Sequence, residues 1–157
     1  MDDMEQAERL ANTYADAILR LSYTYLKNTH DAQDICQTVF LKLIERRPAF
    51  ASSEHEKAWI IRTTINACKD HLKSHWRKTT VPIEAAQHVP APAAEPGSIL
   101  ASVNLLPPKY RAVIYLHYYE GYTLREIARL LGVTVPTVKM RLKRGRDALR
   151  NTWEESL

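Results

Sequence analysis

Residues 79–98 decide what this chain of 157 residues can fold into. They hold Pro82, Pro90, Pro92 and Pro96, half of the 8 prolines, among Ala85, Ala86, Ala91, Ala93 and Ala94, with no basic residue and no apolar periodicity. Proline fixes φ and removes a backbone donor, so such a stretch reads as an extended, semi-rigid linker, with mobility expected around Val89 to Gly97. Two units are therefore expected, 1–78 and 99–157, joined by the linker 79–98. A unit of that size buries only about 60% of its surface and is marginal alone, so docking on a partner would stabilise both.

Hydrophobic residues make up 45% of the chain and charged residues 25%, too apolar for wholesale disorder. No run approaches the roughly 18 apolar residues of a membrane span, and Met1-Asp2-Asp3-Met4-Glu5 is acidic where a signal peptide would be basic and then apolar. A cytoplasmic protein without direct membrane insertion is expected. Cys36 and Cys68 form no C-x-x-C pair, and the four glycines fit no phosphate-cradling loop. The net charge of +4 is unevenly spread. Residues 1–30 sum to −2, 31–78 to +3, 79–98 to −2 and 99–157 to +5, so two basic blocks flank an acidic gap.

Unit 1 is helical by pattern. Leu10, Tyr14, Ile18, Leu21 and Tyr25 step by three and four along one amphipathic helix ending near Asn28. Asp31 is placed to cap a second helix whose apolar residues Ile35, Val39, Phe40, Leu43 and Ile44 run until Pro48 stops it. A polar loop from Phe50 to Glu56 follows. Ala58, Ile61, Ile65, Cys68, Leu72 and Trp76 then form the inner stripe of a third helix. Its second stripe, Trp59, Arg62, Asn66, Lys69 and Lys73, is displaced by about 100°. An indole to stack on, an amide to read base edges and cations to neutralise phosphates suit single-stranded nucleic acid, although Trp59 would equally serve as an edge of the core.

Unit 2 is punctuated as helix, turn, helix. Pro107-Pro108 opens a helix running through Val113, Ile114 and Leu116 to Gly121. Thr123-x-x-Glu126 is a capping box, with Tyr122 and Ile127 as its hydrophobic staple, and Gly132 ends that second helix. Thr134 caps the third, which has Pro136 in its first turn and a staple between Val133 and Val138. There Val138, Leu142, Gly145 and Leu149 face inward, leaving Lys139, Met140, Lys143, Arg144 and Arg146 elsewhere. On charge alone that run is a solvated face. On the second helix of a helix-turn-helix it is a face for the DNA major groove.

These residues resemble the extracytoplasmic-function group of bacterial sigma factors, the minimal members of the sigma-70 family, over about residues 10 to 153. Asp31-Ala-Gln-Asp34-Ile-Cys-Gln37-Thr-Val-Phe40 is similar to the family's polymerase-binding helix, with Thr38 where a carboxylate is frequent. Phe50, Ala58-Trp59-Ile-Ile-Arg62 and Asn66 are similar to the segment that melts and reads the minus-10 element. Leu106-Pro107, Glu126-Ile127-Ala128 and Thr137-Val-Lys-Met-Arg-Leu-Lys-Arg-Gly-Arg146 are similar to the minus-35 reader.

The resemblance implies an all-α protein of two small helical domains that binds core RNA polymerase and directs initiation without cofactor or catalysis of its own. Asp31, Asp34, Gln37 and Phe40 would meet polymerase, Asp31, Asp34 and Gln37 forming a polar ridge on one side of their helix. Phe50, Trp59, Arg62, Asn66 and Lys69 would hold the opened, single-stranded minus-10 element. Thr137, Lys139, Met140, Arg141, Lys143, Arg144 and Arg146 would meet the minus-35 duplex, with Arg141 and Arg146 on backbone and Met140 against a thymine methyl. An inhibitory anti-sigma partner is implied too. Rival readings fit less of the chain. Cys68, His71 and His75 have a zinc-like spacing without a fourth ligand, and Cys36 with Cys68 fit as buried hydrophobes rather than a redox pair. No nucleophile elbow, zinc-protease helix or phosphate loop marks an enzyme. A decoy for an anti-sigma protein would not need the basic helix and the Trp59 stripe, and an ordinary repressor would not need unit 1.

Overall fold

A computed structural model describes residues 3–46, 48–78, 103 and 105–155. The linker 79–98 lies outside the described residues, as do the side chains of His75 and Trp76. The chain divides into two compact units, residues 1–89 and 90–157, and among the described residues the regular structure is all helical.

Unit 1 is built from α1 (Asp3–Leu26), α2 (Thr29–Arg46) and α3 (Ser53–Lys78), each packing on the other two. The α1 stripe Leu10, Tyr14, Ile18, Leu21 and Tyr25 is buried throughout, and α2 contributes Ala32, Ile35, Val39 and Leu43. Each such aliphatic side chain stabilises the bundle by roughly 1.5–3 kcal/mol relative to exposure. The inward face of α2 is narrower than its apolar pattern: Phe40 is half-buried, while Ile44 and Leu41 are 45% and 57% exposed. On α3 the reverse holds. Ile60, Thr64 and Ala67 join Ile61, Ile65 and Cys68 in the core, whereas Ala58 and Leu72 stay half-buried. On this wider buried face of α3 the Thr64 hydroxyl is satisfied by the Ile60 carbonyl at 2.7 Å.

The α1–α2 junction corrects the expected cap. α2 begins at Thr29, and Asn28 Oδ1 accepts the Asp31 backbone N–H at 3.0 Å, so Asn28 is the cap and Asp31 sits in the first turn. Lys27 makes the bend with φ 55°, and its N–H donates to the Tyr23 carbonyl at 2.8 Å.

Unit 2 contains α4 (Pro108–Ile114), a π-helical turn at Tyr115–Tyr119, α5 (Leu124–Leu131) and α6 (Val135–Glu155). The caps at Thr123 and Thr134 and the stops at Gly121 and Gly132 stand where the sequence places them, while the first helix changes to a π-helical turn after Ile114. Glu126 N–H donates to Thr123 Oγ1 at 3.2 Å while Thr123 N–H donates to Glu126 Oε1 at 3.0 Å, closing the capping box. Gly121 and Gly132 take φ of 77° and 69°, the left-handed region in which a Cβ is penalised. Thr137 N–H donates to Thr134 Oγ1 at 3.3 Å, capping α6. Leu106, Ala112, Val113, Leu116, Ile127, Leu130, Leu131, Val138 and Leu142 form the core, with Leu149 half-buried. Arg111 is 3% exposed, its guanidinium donating to the Leu106 carbonyl, so it belongs to the interior and not to the basic surface.

Candidate nucleic-acid interface

The turn before α3 is held by its own side chains. Ser52 Oγ accepts the His55 N–H at 3.1 Å, capping α3, and the Ala51 N–H donates to His55 Nδ1 at 3.1 Å. An Nδ1 that accepts leaves the neutral ring its proton on Nε2. The Phe50 ring meets His55 edge-on at 5.5 Å and Trp59 at 5.9 Å, so three aromatic rings stand together at the start of α3.

Glu56, expected in a polar loop, lies instead inside α3 and is 8% exposed. Its Oε2 accepts from Arg9 Nη2 at 2.9 Å and its Oε1 from the Tyr14 hydroxyl at 2.9 Å. The Arg9 hydrogen bond holds the Glu56 carboxyl below its ordinary range against the opposing effect of burial. Burial first, then the bond to Glu56, pushes the Tyr14 phenol up to about 12. This network fixes the first turn of α3 to α1, and Trp59 stands one turn further on.

From there Trp59 (half-buried), Arg62 and Asn66 (exposed), Lys69 (half-buried) and Lys73 (exposed) run down one face of α3. The structure thus gathers Phe50, Trp59, Arg62, Asn66 and Lys69 into a continuous aromatic, amide and cationic strip, with His55 beside it. The contacts of His55, at the start of α3, with Ala51 and Phe50 have no periodic signal in the sequence because they reach back into the turn before the helix.

On α2 the three polar residues do not share a side. At 100° per residue, steps of three drift by about 60° each, which separates Asp31 from Gln37 by about 120°. Asp31 accordingly turns toward α3, its carboxylate 3.4 Å from His71 Nε2 and its side chain 16% exposed, whereas Asp34 and Gln37 face outward. The outward row of Asp34 and Gln37 continues through Leu41 and Ile44, and Phe40 lies beside it, half-buried.

In unit 2, Lys139, Met140, Lys143, Arg144 and Arg146 are exposed along α6, while Arg141 is half-buried. Thr137 is half-buried, its hydroxyl 2.9 Å from that of Thr134. Arg146 donates to the Tyr118 hydroxyl at 3.3 Å, and Tyr118 is 56% exposed. Tyr110, which the sequence reading passed over, is held below its usual phenol range by a hydrogen bond with Arg144, with Lys109 and Arg141 adding positive charge. No local signal announces that contact, because Tyr110 and Arg144 belong to different helices.

Among the described residues no three His, Cys, Asp or Glu side chains stand together as a metal site. Cys68 is fully buried, which pushes its thiol up to about 12, and burial raises Cys36 as well. Thiolates are the reactive and metal-binding form, so neither cysteine is primed for such chemistry.

The chain matches the family models of sigma-70 region 2 over residues 10–78 and sigma-70 region 4 over residues 97–149. It is 30% identical over 166 residues to the ECF RNA polymerase sigma factor SigW of Bacillus subtilis (strain 168), spanning 94% of this chain and 89% of that protein. The corresponding values for the ECF RNA polymerase sigma factor SigE of Mycolicibacterium smegmatis are 31% over 162 residues, 94% and 62%. In fold, the chain is similar to the sigma factor RpoE in its complex with the anti-sigma factor NepR from Bartonella quintana. That match has a TM-score of 0.74 at 19% identity and covers 94% of this chain and 96% of that one. It is also similar to CnrH in complex with the cytosolic domain of CnrY, with a TM-score of 0.67 at 20% identity, covering 97% and 90%.

Proposed function

The chain belongs to the extracytoplasmic-function sigma factors of the sigma-70 family, and from that we infer that it is a dissociable specificity subunit of bacterial RNA polymerase. It binds core polymerase and promoter DNA and directs promoter-specific transcription initiation. It is not an enzyme; phosphodiester chemistry belongs to the polymerase. The observation that carries this is the order of the two family regions along one chain, region 2 at 10–78 and region 4 at 97–149.

The residue roles proposed here come from the family resemblance and are supported by the exposure of these side chains. On α2, exposed Asp34 and Gln37 are the polar contacts offered to polymerase, with Phe40 behind them and Asp31 acting from the α3 side. Phe50 in the turn before α3 and Trp59 on it provide faces for an unstacked base, while along α3 Asn66 reads its edge and Arg62 and Lys69 neutralise the strand. Unstacking costs a few kcal/mol, which stacking at about 1–3 kcal/mol per base offsets without ATP. On α6, Lys139, Met140, Lys143 and Arg144 address bases of the minus-35 duplex, while Thr137, Arg141 and Arg146 serve backbone.

The linker composition suits a tether between the two readers. Its 20 residues at about 3.1 Å each span about 60 Å when extended. An anti-sigma factor would hold the protein inactive by covering these faces, and the fold shared with RpoE, solved with NepR, supports that partner class. Among the described residues no helix is long and apolar enough to cross a membrane; binding to core polymerase would place the protein in the cytoplasm.

Run-off transcription with bacterial core polymerase on a library of promoters varied at minus-10 and minus-35 tests the reading. Transcripts that require both the protein and both elements are expected. No transcript, with duplex DNA bound in the absence of polymerase, would make it a repressor instead.

A further inference from the structure

Glu56 is a buried carboxylate to which neither strand binding nor polymerase binding gives a task. It accepts three hydrogen bonds from two side chains of α1: from Arg9 Nη2 at 2.9 Å, from Arg9 Nη1 at 3.4 Å and from the Tyr14 hydroxyl at 2.9 Å. Tyr14 is buried and Arg9 is exposed, so the carboxylate is held from the core side and from the solvent side at once. A helix has no internal partners for its first N–H groups and frays from that end. Here the first turn is closed locally, with the His55 N–H on Ser52 Oγ at 3.1 Å and the Glu56 N–H on the Ser52 carbonyl at 3.0 Å. The Glu56 side chain adds a tie from that turn to a second helix.

We propose that Glu56 is a positioning residue for the opened strand: held by Arg9 and Tyr14 of α1, it sets the direction in which Phe50 and Trp59 offer their rings to an unstacked base. The proposal rests on the minus-10 reading of α3 and adds α1 to it. Trp59 follows Glu56 by three residues, about one turn along the helix and about 60° around it. His55, the residue before Glu56, accepts the Ala51 N–H on Nδ1 at 3.1 Å and meets the Phe50 ring at 5.5 Å, and Phe50 meets Trp59 at 5.9 Å. One turn of backbone therefore carries both connections, back through His55 to Phe50 and inward through Glu56 to α1. Apolar burial holds two helices together without preferring a direction, whereas three hydrogen bonds to one carboxylate fix how α3 is rotated about its own axis. Stacking depends on that rotation, because a base must meet the face of a ring and not its edge. Arg9 lies outside residues 10–78, so half of this tie falls beyond the stretch that the region 2 family model covers.

The test uses holoenzyme reconstituted from core polymerase and the full chain, with the single-stranded minus-10 segment of a promoter recovered from the run-off library and copies of it that each lack one base. The readout is the penalty of each missing base, the ratio of intact to abasic affinity, for wild type, Glu56→Gln, Arg9→Gln and Trp59→Ala. In wild type, the position stacked on Phe50 and Trp59 is expected to show a penalty of roughly fivefold or more, and Trp59→Ala should remove it. Glu56→Gln keeps the size of the side chain and removes its charge; Arg9→Gln leaves the carboxylate with Tyr14 alone. Both are expected to bring the penalty at that position toward one and to leave the other positions as in wild type. Loss of folded protein lowers the affinity of every strand by one factor and cancels in the ratio, so a merely structural role would leave the penalty intact. A wild-type penalty in Glu56→Gln and Arg9→Gln, with its loss in Trp59→Ala, would overturn the positioning role and leave the minus-10 reading standing. A penalty that is absent in wild type or survives Trp59→Ala would overturn both. Arg9 is exposed, so its variant decides the matter even if Glu56→Gln folds poorly.

Discussion

Glu56 joins the stability of unit 1 to the placement of the aromatic strip. Its carboxyl is held below the usual range by Arg9, so the folded chain binds that proton less readily than the unfolded one. The stabilisation is therefore complete above the unfolded carboxyl value of about 4.3 and is lost as pH falls through the lower folded value. Arg9 is 44% exposed, and screening limits the ion pair, so Glu56→Gln is expected to cost about 1 kcal/mol at neutral pH, chiefly through the charged hydrogen bonds. Hydrogen exchange of the α1–α3 amides reports it: protection falls at pH 7 and approaches the wild-type level in strong acid, and an equal deficit at both pH values would contradict the account. Lys27 makes a second residue-scale prediction. Its φ of 55° is a left-handed conformation that penalises a Cβ, so Lys27→Gly should stabilise unit 1 by about 1 kcal/mol, read as a raised melting temperature.

At the scale of elements, the meeting of α4 and α6 is set by Gly145, where an added Cβ would lie 2.7 Å from Ile114 Cδ1. The end of an isoleucine side chain can rotate away, and alanine favours a helix over glycine, so Gly145→Ala should leave thermal stability within about 1 kcal/mol of wild type. Gly145→Leu overfills the crossing and should cost about 1–3 kcal/mol while weakening duplex binding, both measurable by melting and by DNA titration. These elements also show what a sequence can and cannot disclose. The caps at Thr123 and Thr134 and the stop at Gly132 were legible because donor, acceptor and turn lie within a few residues of each other. The strip from Trp59 to Lys69 was legible for the same reason, since helical spacing alone places it on one face. The burial of Ile60, Thr64 and Ala67 was not, because it depends on two neighbouring helices. The departure of Asp31 from the row of Asp34 and Gln37 follows from helical spacing, since steps of three drift by about 60° each; the interior position of Arg111 and the pairing of Tyr110 with Arg144 were not legible. Both depend on how a side chain settles within the folded unit, which helical spacing does not specify.

In the molecule as a whole, two proposed recognition tasks fall to two compact units of one sigma factor. Each unit carries exposed polar residues on one long helix, Arg62 and Asn66 on α3 and Lys143 and Arg144 on α6, so each proposed reader can be altered without touching the other's core. Asn66 and Arg144 are the residues to use, because both are exposed and each stands within its strip. The decisive measurement is run-off transcription from the promoter library with wild type, Asn66→Ala and Arg144→Ala in parallel, scoring which promoter positions each variant ceases to discriminate. Asn66→Ala is expected to relax preference at minus-10 only. Arg144→Ala should relax it at minus-35 only, with a loss of about 1–3 kcal/mol there. Variants that alter the same positions, or that leave the preferences of both elements unchanged, would contradict this division of tasks.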